Sequence, residues 1–209
     1  MAIHPSSVSN SHFGHFLFWV LFLPLLSLIL LPMVLPEQDI DPKEVQMVQA
    51  FNVDVGQLQE KTSNTFSSMF IATGFMGTTE SFFAPKVSGP AGKVQGTFAA
   101  KWIRGVWLMV YKMIWRWNAL LWIFVVPVIA LCVPAVVDGL AVRAKKKYLF
   151  ETSNAVFFYS SAHIATMALG LFFFLPLAPV TLSAIALFGI ILAMAAAMWV
   201  TAANFQTGA

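Results

Sequence analysis

An acid and a histidine, Asp138 and His163, lie in or against apolar runs of this sequence, in "VPAVVDGLAV" and "SSAHIATM". Ionisable groups are costly in such surroundings, and proton relay is the chemistry they would support. A structural role competes with that reading. Asp138 precedes Gly139 and lies one or two turns before Arg143, which favours a local ion pair or a helix-ending contact. His163, with no acid close in sequence, suits the entrance of a span, as do Tyr159, Ser160 and Ser161. Just beyond Asp138 stand four cations, Arg143, Lys145, Lys146 and Lys147. They could meet DNA phosphates, lipid headgroups or a partner protein. Non-specific DNA binding usually rests on roughly 6–10 phosphate contacts, so four cations serve orientation first, with a partner or phospholipid as further contacts.

A second basic cluster is interleaved with indoles. In "AAKWIRGVWLMVYKMIWRWN", Trp102, Trp107, Trp115 and Trp117 alternate with Lys101, Arg104, Lys112 and Arg116. Such a pattern can stack and neutralise single-stranded nucleic acid. It equally describes a helix at the membrane interface, with rings at the headgroup level and cations on lipid phosphates. Because the segment runs directly into an apolar stretch, the interfacial helix is the expectation, and direct nucleic-acid binding is not. Other chemistry finds no foothold: there is no complete phosphate loop, histidine ligand pair or Gly-x-Ser-x-Gly elbow. The string Gly-Pro-Ala-Gly-Lys at 89–93 has Val94 where a phosphate loop needs a hydroxyl, and reads as part of a flexible linker, "APKVSGPAGKVQG". The single cysteine, Cys132, permits no intrachain disulfide. No catalytic, cofactor-binding or metal-binding residue is expected, and the chain reads as no enzyme.

The elements that must hold these residues are set by composition. Of 209 residues, 59% are hydrophobic and 10% charged, with a mean hydropathy of +0.78. A soluble domain carries about 25% charged residues, so this is an integral membrane protein. A spanning helix needs about 20 apolar residues. Four stretches qualify: 15–35, 119–140, and a hairpin over 162–204 that turns at Pro176 and Pro179. Pro24 and Pro32 should kink or end the first. That span lacks the positive n-region and small-residue cleavage site of a signal peptide. The predicted fold is all-α and polytopic, with a partly helical loop between the first and second spans.

Orientation follows from charge. Lys and Arg in short loops stay cytoplasmic, and the loop 141–161 carries four cations against Glu151. That places the N-terminal segment 1–14 and the tail 205–209 inside, and the long loop 36–118 in the periplasm. The four cations at 101–116 argue the other way. Within the long loop, Asp41 as N-cap, Pro42, and Glu44 completing a capping-box-like arrangement predict a helix over about 42–61. A second is expected over about 64–83, capped by Ser63 and weakened by Gly74 and Gly77, with Phe66, Phe70, Phe75 and Phe82 as packing residues. The third, over about 98–118, is the interfacial helix.

The stretch "PAVVDGLAVRAKKKYLFETSNAVFFYSSAHI", with the Trp- and Arg-rich segment before it and the early single span, resembles the TraJ-like inner-membrane proteins of conjugative plasmids and integrative elements. Pro134, Asp138, Gly139, Arg143, Tyr159 and His163 carry the match. The resemblance implies a non-catalytic accessory of conjugation that associates with the coupling protein, the FtsK-like ATPase that brings DNA to the type IV secretion channel. Gly170, and Gly189 among alanines, would let helices of a homo- or hetero-oligomer approach closely. Alternative readings are a small proton-coupled solute or ion transporter using Asp138 and His163, and an entry-exclusion or immunity-type membrane protein.

Overall fold

The computed structural model describes residues 12–35, 39–83, 90–151 and 154–205, without the side chains of His12, 90–97 and Trp122. Most of the expected N-terminal segment and C-terminal tail, and the start of the expected linker, lie outside the described residues. Within them the chain is all-helical, with four helices long and apolar enough to span a membrane: Phe13–Val34, Ile123–Tyr148, Ala155–Leu177 and Ala184–Ala203.

The first span comprises α1 (His12–Leu17), a π turn (Phe18–Phe22) and α2 (Leu23–Val34). Pro24 supplies no amide to the turn before it, and the wider π turn absorbs that gap in the ladder. The helix continues through Pro32 and stops at Leu35.

Three short helices follow where two were expected. The helix foreseen over 42–61 is divided into α3 (Pro42–Ala50) and α4 (Val55–Phe66). Asn52 takes a left-handed conformation at φ 59°, which asparagine tolerates, and the Asp54 carboxylate caps a new helix by accepting from the Gly56 and Gln57 amides at 2.8 and 3.2 Å. Ser63 therefore caps nothing; it lies inside α4 with its hydroxyl 3.1 Å from that of Tyr111. After a second π turn (Ser67–Ile71), Gly74 at φ 72° breaks the path before α5 (Phe75–Phe83). Of the four phenylalanines expected to pack, Phe66 is buried, whereas Phe75 and Phe82 are largely exposed.

The largest departure is α6, Pro90–Tyr148, 59 residues of unbroken helix and about 88 Å long. It merges the expected 98–118 helix with the second span. It also begins inside the presumed linker and ends within the presumed basic loop. Nothing between Asn118 and Ala119 interrupts the helical ladder, and Pro127 and Pro134 are carried inside it. Asp138 and Gly139 do not end a span. The helix instead continues to Lys145, Lys146 and Lys147, whose charges favour a helix C-terminus. The connection to α7 (Ala155–Phe174) thus shrinks to 149–154, and the Asn154 side chain caps α7. A 3-10 turn (Leu175–Leu177) and a short link lead to α8 (Ala184–Ala203).

Contacts along the spans give their directions. On α6 and α8, Phe124 meets Phe188 at 5.9 Å between centroids and Lys146 donates to Asn204 Oδ1 at 3.2 Å, so these two helices run parallel. His15 lies 4.7 Å from His163 between centroids and Trp19 packs on Gly170, so the first span runs parallel to α7. The start of the first span, the 149–154 connection and the end of α8 therefore share one end of the bundle. The turn between α7 and α8 marks the other, where α6 continues outward beneath α3, α4 and α5.

Candidate functional site

At the end of the bundle away from the basic cluster, an ion pair is buried between elements far apart in sequence. Arg116 and Glu44 are each 1% exposed. The Arg116 Nε–H donates to Glu44 Oε2 at 3.0 Å, and Nη2 donates to Oε1. The rest of the fork reaches the turn between α7 and α8. Nη1 donates to the Leu175 carbonyl at 3.2 Å and to that of Ala178, and Nη2 to that of Val180 at 2.9 Å. All five guanidinium N–H groups thus have acceptors. Glu44 Oε1 also accepts from the Leu182 amide at 2.9 Å. Helix ends leave carbonyls and amides unpaired, and here one side-chain pair satisfies those at the turn between α7 and α8. Glu44 does not complete a capping box, because its carboxylate faces away from the start of α3. Asp41 does cap that helix, accepting from the Lys43 amide at 2.8 Å, and its other oxygen accepts from the Thr181 hydroxyl.

Two neighbours of this latch titrate away from their ordinary values. The Thr181 hydroxyl and the Lys43 amide hold the Asp41 carboxyl below the usual aspartate value. Burial, and then the charge of Arg116, push the Lys112 ammonium down; its Nζ donates to the Asp39 carbonyl at 3.2 Å.

These contacts correct the interfacial reading of 98–118. Arg116, Lys112, Trp107 and Trp115 are buried in protein, so they cannot meet headgroups. Trp107 donates to Thr79 Oγ1 at 3.2 Å and Trp102 to the Ile29 carbonyl at 2.9 Å. Ile103, Trp107, Val110 and Ile114 form one core with Phe66, while Trp115, Ala119, Leu120 and Phe124 form another with Val48 and Leu187. Arg104 and Trp117 remain exposed. The segment is a scaffold with helices on two faces. Glu44 was legible as an acid next to the apolar positions Val45 and Val48, though nothing nearby in sequence pointed to Arg116.

At the basic end, Asp138 accepts from Trp199 Nε1 at 2.7 Å, a partner that comes from α8. A Cβ on Gly139 would lie 2.6 Å from the Trp199 carbonyl oxygen and 2.9 Å from Ala202 Cβ, so this glycine permits close approach of α6 and α8. Arg143 lies over the Phe205 ring, 5.1 Å from its centroid. Lys145 and Lys147 are exposed, Lys146 half-buried, and Pro134 exposed within α6. His163 packs on His15 with ring centroids 4.7 Å apart, and Asp138 bonds to Trp199. Ser160 and Ser161 donate back to the Val156 and Phe157 carbonyls, as span-lining hydroxyls do, and Thr201 donates to Ser161 at 2.9 Å across α7 and α8.

The packing glycines also differ. Gly170 is enclosed: a Cβ there would lie 2.3 Å from Trp19 Cβ. Gly189 has no atom within 4 Å of its would-be Cβ. With Ala186, Ala193 and Ala196 it forms an exposed small-residue face on α8, while Met194, Ala195 and Ala197 turn inward.

With this geometry in place, comparison with protein families returns one described as "IncC plasmid conjugative DNA transfer protein DtrJ-like", matching residues 33–206. Neither the curated proteins nor the solved structures yield a match. The conjugative-transfer resemblance holds at that level, under the DtrJ-like description; the TraJ-like label is not what matches. Nearly all of the first span precedes the matched region.

Proposed function

The chain belongs to the DtrJ-like family of conjugative DNA transfer proteins, and from that premise we propose that it is a non-enzymatic inner-membrane accessory that docks on the membrane part of the type IV coupling ATPase. The observation that carries the docking is the outward face of α8. Ala186, Gly189, Ala193 and Ala196 are exposed at helical spacing, and small residues let a partner helix approach closely in lipid, where packing and hydrogen bonds replace the hydrophobic effect. Gly170 and Gly139 are occupied within the chain and do not serve this role.

In this reading the basic end is cytoplasmic. Arg143, Lys145, Lys146 and Lys147 gather beside the start of the first span and the end of α8, and short basic connections stay inside. Two of the cations that argued the other way, Lys112 and Arg116, are buried and hydrogen-bonded in the outer latch, which removes them from the exposed charge of that side. The basic end is then the face an ATPase motor could reach. Phospholipid surrounds the spans.

Co-purification tests the proposal. With both proteins expressed in one membrane and extracted in mild detergent, the ATPase should follow the natural chain and be lost with Gly189→Leu. Absence of the ATPase from the natural chain's eluate, with both well expressed, would sink it.

A further inference from the structure

We propose that a groove between α6, α7 and α8 at the basic end binds one anionic phospholipid, its phosphate on Arg143 and Lys147 and an acyl chain in the groove. The groove encloses about 330 Å³. Val136, Leu140 and Arg143 on α6 form one wall, with Ala165 on α7 and Met198 and Thr201 on α8 opposite. The wall presents almost no polar surface, so Arg143 lines it through its carbon stem with the guanidinium turned toward the mouth over Phe205, and the Thr201 hydroxyl is engaged with Ser161 and the Ala197 carbonyl. Along α6, residues 136, 140, 143 and 147 recur at helical spacing and share a face. That face passes from two apolar residues to two cations. It has the polarity sequence of a phospholipid read from tail to headgroup, and basic pockets between spans suit anionic headgroups. Arg143 offers a planar fork that matches phosphate oxygens, and Lys147 a mobile point charge.

The closed inner end favours a lipid over a partner helix. Cys132, Ala168, Met194 and Ala195 pack together where α6, α7 and α8 converge, one turn beyond Val136 toward the bundle centre. The open length from Val136 to Arg143 is on the order of 10 Å, against roughly 30 Å of hydrocarbon that a spanning helix must cross. An acyl chain can end inside the bilayer, whereas a spanning helix cannot. The inference rests on the spans lying in a bilayer, which resistance of the protein to alkaline carbonate extraction checks separately.

Native mass spectrometry of the full chain in mild detergent, titrated with phosphatidylglycerol or phosphatidylcholine, tests the site. The natural chain should retain a single phosphatidylglycerol and discriminate against phosphatidylcholine. Arg143→Gln with Lys147→Gln should weaken retention roughly 30-fold, at about fivefold per cation near a membrane surface. Ala165→Phe, or Val136→Phe should the first not fold, fills the groove with the cations intact and should abolish the discrete adduct. Equal retention of both lipids by the natural chain would overturn the proposal without recourse to any variant. Survival of the adduct in a folded groove-filling variant would overturn it as surface attraction alone. A photoreactive residue at position 140 that captures protein rather than lipid in native membranes would overturn it in favour of a partner helix.

Discussion

Arg116 and Arg143 lie on the same helix in opposite circumstances. Arg116 is 1% exposed and meets a carboxylate and three carbonyls. Arg143 is half-buried over Phe205 at the mouth of an apolar groove. A basic residue beside a span therefore carries no single meaning. Arg116 joins the long loop to the turn between α7 and α8, and its charge serves the fold. Arg143 stands among the cations of the basic end, the face proposed above for lipid and for a partner. Glycine repeats the contrast: Gly139 and Gly170 are closed by neighbours, and Gly189 is open.

Removing the latch should have the largest effect. Arg116→Met leaves Glu44 charged and buried and strips three carbonyls of a donor, so it should cost about 3–5 kcal/mol, the usual range for breaking a buried pair. Thermal unfolding in detergent checks this. Arg116→Lys should recover only part, since one ammonium cannot reproduce the planar fork. A double change of Glu44 and Arg116 to methionine should stay destabilised, because the Leu182 amide and the carbonyls remain unsatisfied. A double variant as stable as the natural chain would break the contrast between the two ends.

The enclosed glycines come next. Gly139→Leu forces atoms into the Trp199 backbone and Gly170→Leu into Trp19; each should cost about 1–3 kcal/mol as overpacking. Gly189→Leu should leave the unfolding temperature unchanged, and a large loss there would show that this face of α8 is not open.

Acid provides a smaller and more local test. Asp41 has a folded value below its unfolded one, so its contribution is present above the unfolded value and is lost as pH falls through the lowered folded value. The natural chain should lose stability across the acid range at and below the ordinary aspartate value, and Asp41→Asn should flatten that part of the profile. Identical acid profiles for the two proteins would remove Asp41 from the latch. The smallest effect on folding is expected at the basic end, where Lys145→Gln with Lys147→Gln should change stability by no more than about 0.5 kcal/mol.

The sequence carried the spans well, because about 20 apolar residues have few alternatives to a membrane. It also carried the Asp41 cap, which is a local signal. The latch was hidden because Glu44 and Arg116 come from separate helices and meet only once α6 is known to continue beyond the bundle of apolar helices. The pattern of Trp102, Arg104, Trp107, Lys112, Trp115, Arg116 and Trp117 suited a lipid interface as well as a scaffold. Only the cores on two sides of α6 distinguish the readings. Asp138 and Gly139 misled for the opposite reason. Glycine after an acid reads as a stop, yet here it accommodates α8.

The most direct measurement is DNA transfer frequency per unit of membrane-resident protein, compared between the natural chain and Gly189→Leu. Transfer should fall at least about tenfold at unchanged protein level and unfolding temperature, because the added side chain keeps a partner helix from packing closely. Unchanged transfer from a folded, normally abundant Gly189→Leu protein would contradict docking through this face of α8.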